Sequence, residues 1–145
     1  MKLQHITFTG IDGKTDLGRL WEIQKEYPIA EFGVLVAKNW HGTVWMNPPY
    51  SRQPLRRFCE KMAAHGNGIA LLVNRQDNLL WQEVIFPTAA SMIFMRHRVK
   101  FIQPDGRSSS PFFGSCLVAW GRECDRRLRQ SGIEGKYVVL NAHRS

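Results

Sequence analysis

The chain has 145 residues, enough for one core and too few for two sizeable ones; 43% hydrophobic and 22% charged residues exclude a disordered chain. Twenty Lys and Arg against 12 Asp and Glu give a net charge of +8 and a pI near 9.9, which suits a polyanionic partner as well as simple solubility. No run reaches the roughly 18 apolar residues of a membrane span, and three cysteines without metal-type spacing argue against a disulfide framework or a zinc site, so a soluble protein in a reducing cytoplasm is expected.

The first predicted strand is LQHITF, residues 3–8, followed by the loop TGIDGKTD, in which Thr15 or Asp16 can cap a helix. Leu17, Leu20, Trp21 and Ile23 share a helical face, Pro28 stops it, and FGVLVA (32–37) is a second strand. Together they make a β-α-β unit. TVWM then runs as a short strand into Asn47-Pro48-Pro49-Tyr50, where neither strand nor helix can continue.

Next, PLRRFCEKMAAHG has the apolar spacing of a helix with Gly66 as its stop, and GIALLV (68–73) is a continuous apolar strand. NLLWQEVIF reads as a helix closed by Pro87, capped by Asp77 or Asn78, with Trp81 on its apolar face; SMIFM is another strand. From Arg96 the pattern changes to two strand-like runs around a Pro, Gly and Ser-rich connection, which predicts an antiparallel pair with a long loop. RECDRRLRQ is a charged helical or frayed stretch, and KYVVLN a last strand or a weakly docked tail. The expected architecture is one α/β domain with an open mixed sheet and an antiparallel edge hairpin.

In such sheets ligands bind beyond the carboxyl ends of the strands, where the Asn47 to Tyr50 segment begins. The prolines stiffen the loop and remove two backbone donors. Asn47, through its side-chain oxygen, and Pro48, through its carbonyl, can accept both hydrogens of an exocyclic amine, and Tyr50 offers a face on which a base can stack. An adenine amine is a poor nucleophile because its lone pair is delocalised into the ring; withdrawing its hydrogens into two acceptors raises the density on nitrogen. A simple turn is the competing account of the same four residues.

Basic residues cluster around this motif and farther on: Arg52, Arg56 and Arg57 follow it, Arg75 follows the GIALLV strand, and Arg96, Arg98 and Lys100 form another group. Each is a candidate phosphate contact, set against the ordinary solvation of surface arginines. Phe112 or Phe113 in PFFGS could enter a cleft or simply pack. The five histidines have no paired spacing for a metal or a nucleophilic triad.

WHGTVWMNPPYSR, GNGIALLVNRQDNLLWQEVIFPTAASMIFMRHRVKF and SSSPFFGSCLVAWG together resemble the Dam-like phage DNA N-6-adenine methyltransferases over roughly residues 39–121. The resemblance implies a Rossmann-like sheet, DNA as partner and S-adenosylmethionine as methyl donor. Asn47 and Pro48 would polarise the amine, Pro49 would hold the loop and Tyr50 would stack on the extruded adenine. It also implies that Asn74, Arg75 and Asp77 line the cleft.

For the cofactor, Phe8, Gly10 and Gly13 in ITFTGIDG, together with Asn47, are the candidates, although the glycines imitate a nucleotide loop with one residue too many. Residues 1–38 instead resemble the opening β-α-β unit of a phage-encoded barrel protein similar to phosphoribosylanthranilate isomerase, which implies a truncated or substituted N-terminal half. That leaves 1–38 as an N-terminal unit, 39–121 as a methyltransferase-like part and 122–145 as a charged extension. Two readings follow. The chain is a DNA adenine-N6 methyltransferase in the cytoplasm of a bacterial host, or an inactive recombined or remnant α/β module that retains nucleic-acid binding.

Overall fold

The computed structural model describes residues 6–7, 39–48, 52–99, 101–102, 106–109 and 113–143. The expected helix and second strand of the first β-α-β unit lie outside the described residues. The described part of that unit is β1 (Ile6–Thr7), paired antiparallel to β2 (Val44–Met46).

Helix α1 (Arg52–His65) follows from its sequence: Leu55, Phe58, Cys59 and Met62 recur at i, i+3, i+4 and i+7, and all four pack into one core. It stops where Gly66 takes a φ of 73° and donates its N–H to the Met62 carbonyl at 2.8 Å. β3 (Gly68–Val73) then runs parallel to β2, as a strand reached through a helical crossover does.

Gly68 is fixed by close approach rather than by its φ. A Cβ there would lie 2.4 Å from the Val44 carbonyl oxygen and 2.6 Å from Met62 Cε. Gly68→Ala must therefore push β2 and α1 apart, with an expected loss of about 2 kcal/mol on urea unfolding. An unchanged midpoint would show that the β2, β3 and α1 contact is looser than this.

The next helix, α2 (79–88), is irregular. Asn78 caps it, its Oδ1 accepting the Trp81 N–H at 3.2 Å; the middle, Trp81–Ile85, is π-helical, and the last turn, Phe86–Thr88, is α-helical. Pro87 therefore does not close the helix at Phe86 as its sequence suggests. The Phe86 N–H reaches back to the Trp81 carbonyl, and this widened turn lets Pro87 enter at the start of the last turn, where a missing N–H costs little.

β4 (Ser91–Met95) follows, then a separate two-stranded ribbon of β5 (Phe101–Ile102) and β6 (Ser108–Ser109), then β7 (Ser115–Trp120), α3 (Arg122–Arg129) and β8 (Gly135–Val139). Among the described residues the main sheet has the order β1-β2-β3-β7-β4-β8, five strands plus the two-residue β1 beside β2. The antiparallel edge hairpin expected from residues 96–120 is thus corrected. β7 inserts antiparallel between β3 and β4, and the antiparallel edge beside β4 is β8.

Burial explains the placement: all six residues of β7 are buried, which only an interior strand covered on both faces allows, whereas β8 is half-exposed. Alternation along the strands divides the core in two. Met46, Ala70, Leu72, Met92, Cys116 and Val118 meet α1 and α2 on one face, while Ile69, Leu71, Ile93, Leu117 and Ala119 meet Cys124 and Leu128 of α3 on the other. The charged 122–130 stretch is an ordered helix because this apolar stripe docks it. Its acids, Glu123 and Asp125, sit in the first turn and Arg126, Arg127 and Arg129 in the last, matching the helix dipole.

Candidate active site

β2, β3 and β4 all point the same way, so the segments that follow them gather at one edge of the sheet. That edge carries Asn47 and Pro48 after β2, Asn74 to Asn78 after β3, Arg96 to Arg98 after β4, and Phe113 just before β7 begins. Asn47 is half-buried and Pro48 buried, while Pro49 and Tyr50 lie outside the described residues. The motif thus enters its loop from a buried strand, with Val44 and Met46 both packed in the core.

Beside it, a cleft of about 670 Å³ opens between the first turn of α1 (Arg52, Leu55, Arg56), the end of β3 (Leu72, Val73), Arg75, residues 78–81 and Phe113; of the expected Asn74, Arg75 and Asp77, Arg75 lines it. Neither Asn47 nor Pro48 lines this cleft; they share the sheet edge with it. Its inner wall is apolar, with Leu80 and Trp81 both buried, and its rim is cationic. Trp81 belongs to the core, as its helical position suggests.

The 74–78 segment is tied down at several points. The Asn74 N–H donates to the Gly114 carbonyl at 2.9 Å, joining the end of β3 to the start of β7, and Gln76 Nε2 donates to Asn74 Oδ1 at 3.1 Å. Arg75 pairs with Asp77 at 3.3 Å and lies over the Phe113 ring, 4.9 Å from its centroid. Phe113 is 46% exposed and Leu79 68% exposed, both on this cleft.

The candidate phosphate contacts divide by their surroundings. Arg75, Arg96 and Arg98 are exposed at the sheet edge described above, Arg52 and Arg57 are exposed on α1, and Lys100 lies outside the described residues. Arg56 is engaged differently: its guanidinium holds Glu60 at 2.9 Å and Glu83 at 3.0 Å, which ties α1 to α2 beneath the cleft. The hydrogen bonds it donates to Glu83 and then Glu60 raise its pKa further.

The cysteines offer no nucleophile at neutral pH. Burial pushes the Cys59 and Cys116 thiols up to about 12 and Cys124 up to about 11. Among the described residues no cluster of His, Cys, Asp or Glu has the makings of a metal site, and no helix is long and apolar enough to cross a membrane.

A second polar cluster, on the α3 face, escaped the sequence pattern. Asp125 is 5% exposed; it accepts hydrogen bonds from the Tyr137 hydroxyl and from His143 Nε2 at 2.9 Å, and pairs with Arg129 at 3.4 Å. Burial alone would raise its pKa. Hydrogen bonding from Tyr137 and His143, with Ser91 pulling from beyond full hydrogen-bond geometry, outweighs that and holds it below the usual value. The only sequence signal was an acid next to Cys124 and three residues before Leu128, on the buried stripe of the helix.

A family model described as DNA N-6-adenine-methyltransferase (Dam) matches residues 29–130. The chain belongs to the Dam family. The Dam match runs from ten residues before Asn39 to the end of α3, so residues 29–38, read above as part of the N-terminal unit, fall inside it. No curated protein and no solved structure matches the chain.

Of the residues expected to hold the amine, Asn47 and Pro48 are among the described ones. The positions expected to hold the cofactor, Phe8, Gly10 and Gly13, lie outside them. Five of the six described acids, Glu60, Asp77, Glu83, Glu123 and Asp125, pair with arginines, and Glu134 lies 3.5 Å from His97.

Proposed function

We propose that this Dam family member transfers a methyl group from S-adenosylmethionine to the N6 amine of adenine in DNA. The observation that carries the proposal is the position of Asn47 and Pro48: they leave a buried parallel strand at the sheet edge that also bears the arginine-rimmed cleft, inside the matched segment. A turn placed anywhere else on the molecule would carry no such implication.

In this reading Asn47 Oδ1 and the Pro48 carbonyl each accept one hydrogen of the N6 amine, which returns electron density to the nitrogen and turns its lone pair outward. Pro49 fixes the direction of the Pro48 carbonyl, and Tyr50 stacks on the adenine ring. The cofactor supplies an electrophilic methyl carbon. Because the amine is inaccessible within a duplex, the adenine leaves the stack first, and Arg52, Arg57, Arg96, Arg98 and Lys100 bind the flanking phosphates.

The same reading takes the sheet as Rossmann-like, with Phe8, Gly10 and Gly13 on the donor's side. Isothermal titration of S-adenosylmethionine into the full chain tests it. Saturable binding near one equivalent is expected; a folded sample that takes up no cofactor would contradict methyl transfer and leave a nucleic-acid-binding module.

A further inference from the structure

Phe113 is an aromatic ring left half-exposed at the mouth of a cleft whose inner wall is apolar and whose rim is positive. One side of the ring carries the Arg75 guanidinium at 4.9 Å, and Leu79, 68% exposed, adds a second apolar surface to the same cleft. The pair between Arg75 and Asp77 keeps the guanidinium near the ring, yet its partners are 49% and 74% exposed, so it is screened by solvent and open to exchange for another anion.

A surface that combines an exposed ring, an apolar neighbour and an exchangeable guanidinium matches a flat heteroaromatic ring on an anionic chain. The volume of about 670 Å³ is that of a site for a ligand of nucleotide size. A duplex presents only the edges of its bases in the grooves, whereas an unstacked base presents a face.

We infer that Phe113, backed by Arg75, is a stacking platform for an unpaired nucleobase of the bound strand, in addition to the place that Asn47 and Pro48 provide for the reacting adenine. This rests on the reading of the chain as DNA-acting, but it assigns a second base position that the reaction itself does not require. Arg75 serves both partners: its face lies on Phe113, and its outer N–H groups exchange Asp77 for a phosphate of the same strand.

The test is fluorescence anisotropy of the full chain with an oligothymidine strand of about 15 nucleotides and with an abasic strand of equal length, over a series of salt concentrations. Phe113→Ala is expected to weaken oligothymidine binding about tenfold, to leave the salt slope unchanged and to have no effect on the abasic strand. Phe113→Trp restores the affinity. Arg75→Gln weakens binding to both strands and lowers the salt slope by about 0.7.

Equal affinity of wild type and Phe113→Ala for oligothymidine, or a loss that Trp does not rescue, would overturn the platform while leaving the DNA reading in place. A wild-type chain that binds neither strand nor duplex at low salt would overturn both. That second outcome is distinguishable because it precedes any substitution.

Discussion

Replacing Asn47 by alanine is expected to lower methyl transfer to DNA about a thousandfold, the scale of removing one preorganised polar group from a transition state. The fall should appear in kcat rather than in DNA affinity, since in the proposed reading the oxygen acts on charge that develops at the amine as the new bond forms. The exposed arginines at the sheet edge, Arg75, Arg96 and Arg98, are untouched by the substitution. Asn47→Asp keeps an acceptor in place and should fall between the two. Single-turnover transfer with saturating DNA separates these outcomes, and an Asn47→Ala protein with near-wild-type kcat would remove the motif from the chemistry.

Loss of the Asp125 carboxylate should have the largest effect on stability. It is buried, and Tyr137 of β8, His143 beyond it and Arg129 of α3 all converge on it, so it fastens the edge strand and the C-terminal segment to the helix. Asp125→Ala leaves these donors facing a void, an expected cost of about 3 kcal/mol at neutral pH. For a chain of this length that is a drop of roughly 10 °C in Tm.

The pH dependence follows from the sign of the shift. Asp125 titrates lower in the folded chain than in the unfolded one, so its contribution is fully present above the unfolded value near 4 and is lost as the pH falls through the folded value. Urea unfolding of wild type and Asp125→Ala should therefore differ most at pH 7 and converge in strong acid. A difference that grows on acidification would contradict the assignment. Burial, and then the Asp125 hydrogen bond, raise the Tyr137 hydroxyl, so its proton stays on through the neutral range.

Much of the fold from β2 to β4 was legible because local rules and burial agree there. The spacing of Leu55, Phe58, Cys59 and Met62, the stop at Gly66 and the unbroken GIALLV run each point to the element the chain forms. What was not legible depends on partners distant in sequence. SCLVAW looks the same whether it pairs with its neighbour in the chain or is inserted between β3 and β4; the full burial of both its faces decides the question, and burial is a property of the assembled sheet.

Pro87 misleads for a related reason. Its usual effect is to end a helix, but the π-helical turn before it removes the conflict, and nothing in NLLWQEVIF signals that widening. At the candidate site, Asn47 and Pro48 were readable from a short motif at a strand end. The Arg75 and Phe113 contact joins residues 38 positions apart, and the union of Asp125 with Tyr137 and His143 needs α3, β8 and the C-terminal segment to meet. Hydrophobic periodicity registers neither.

The central claim is that Asn47 and Pro48 present an adenine amine to a methyl donor. The most direct measurement incubates the full chain with methyl-labelled S-adenosylmethionine and unmethylated DNA, then resolves the label after digestion to nucleosides. The account predicts label in N6-methyl-2′-deoxyadenosine alone, with transfer by Asn47→Ala about a thousandfold slower. Label on a cytosine, or undiminished transfer by that variant, would contradict it.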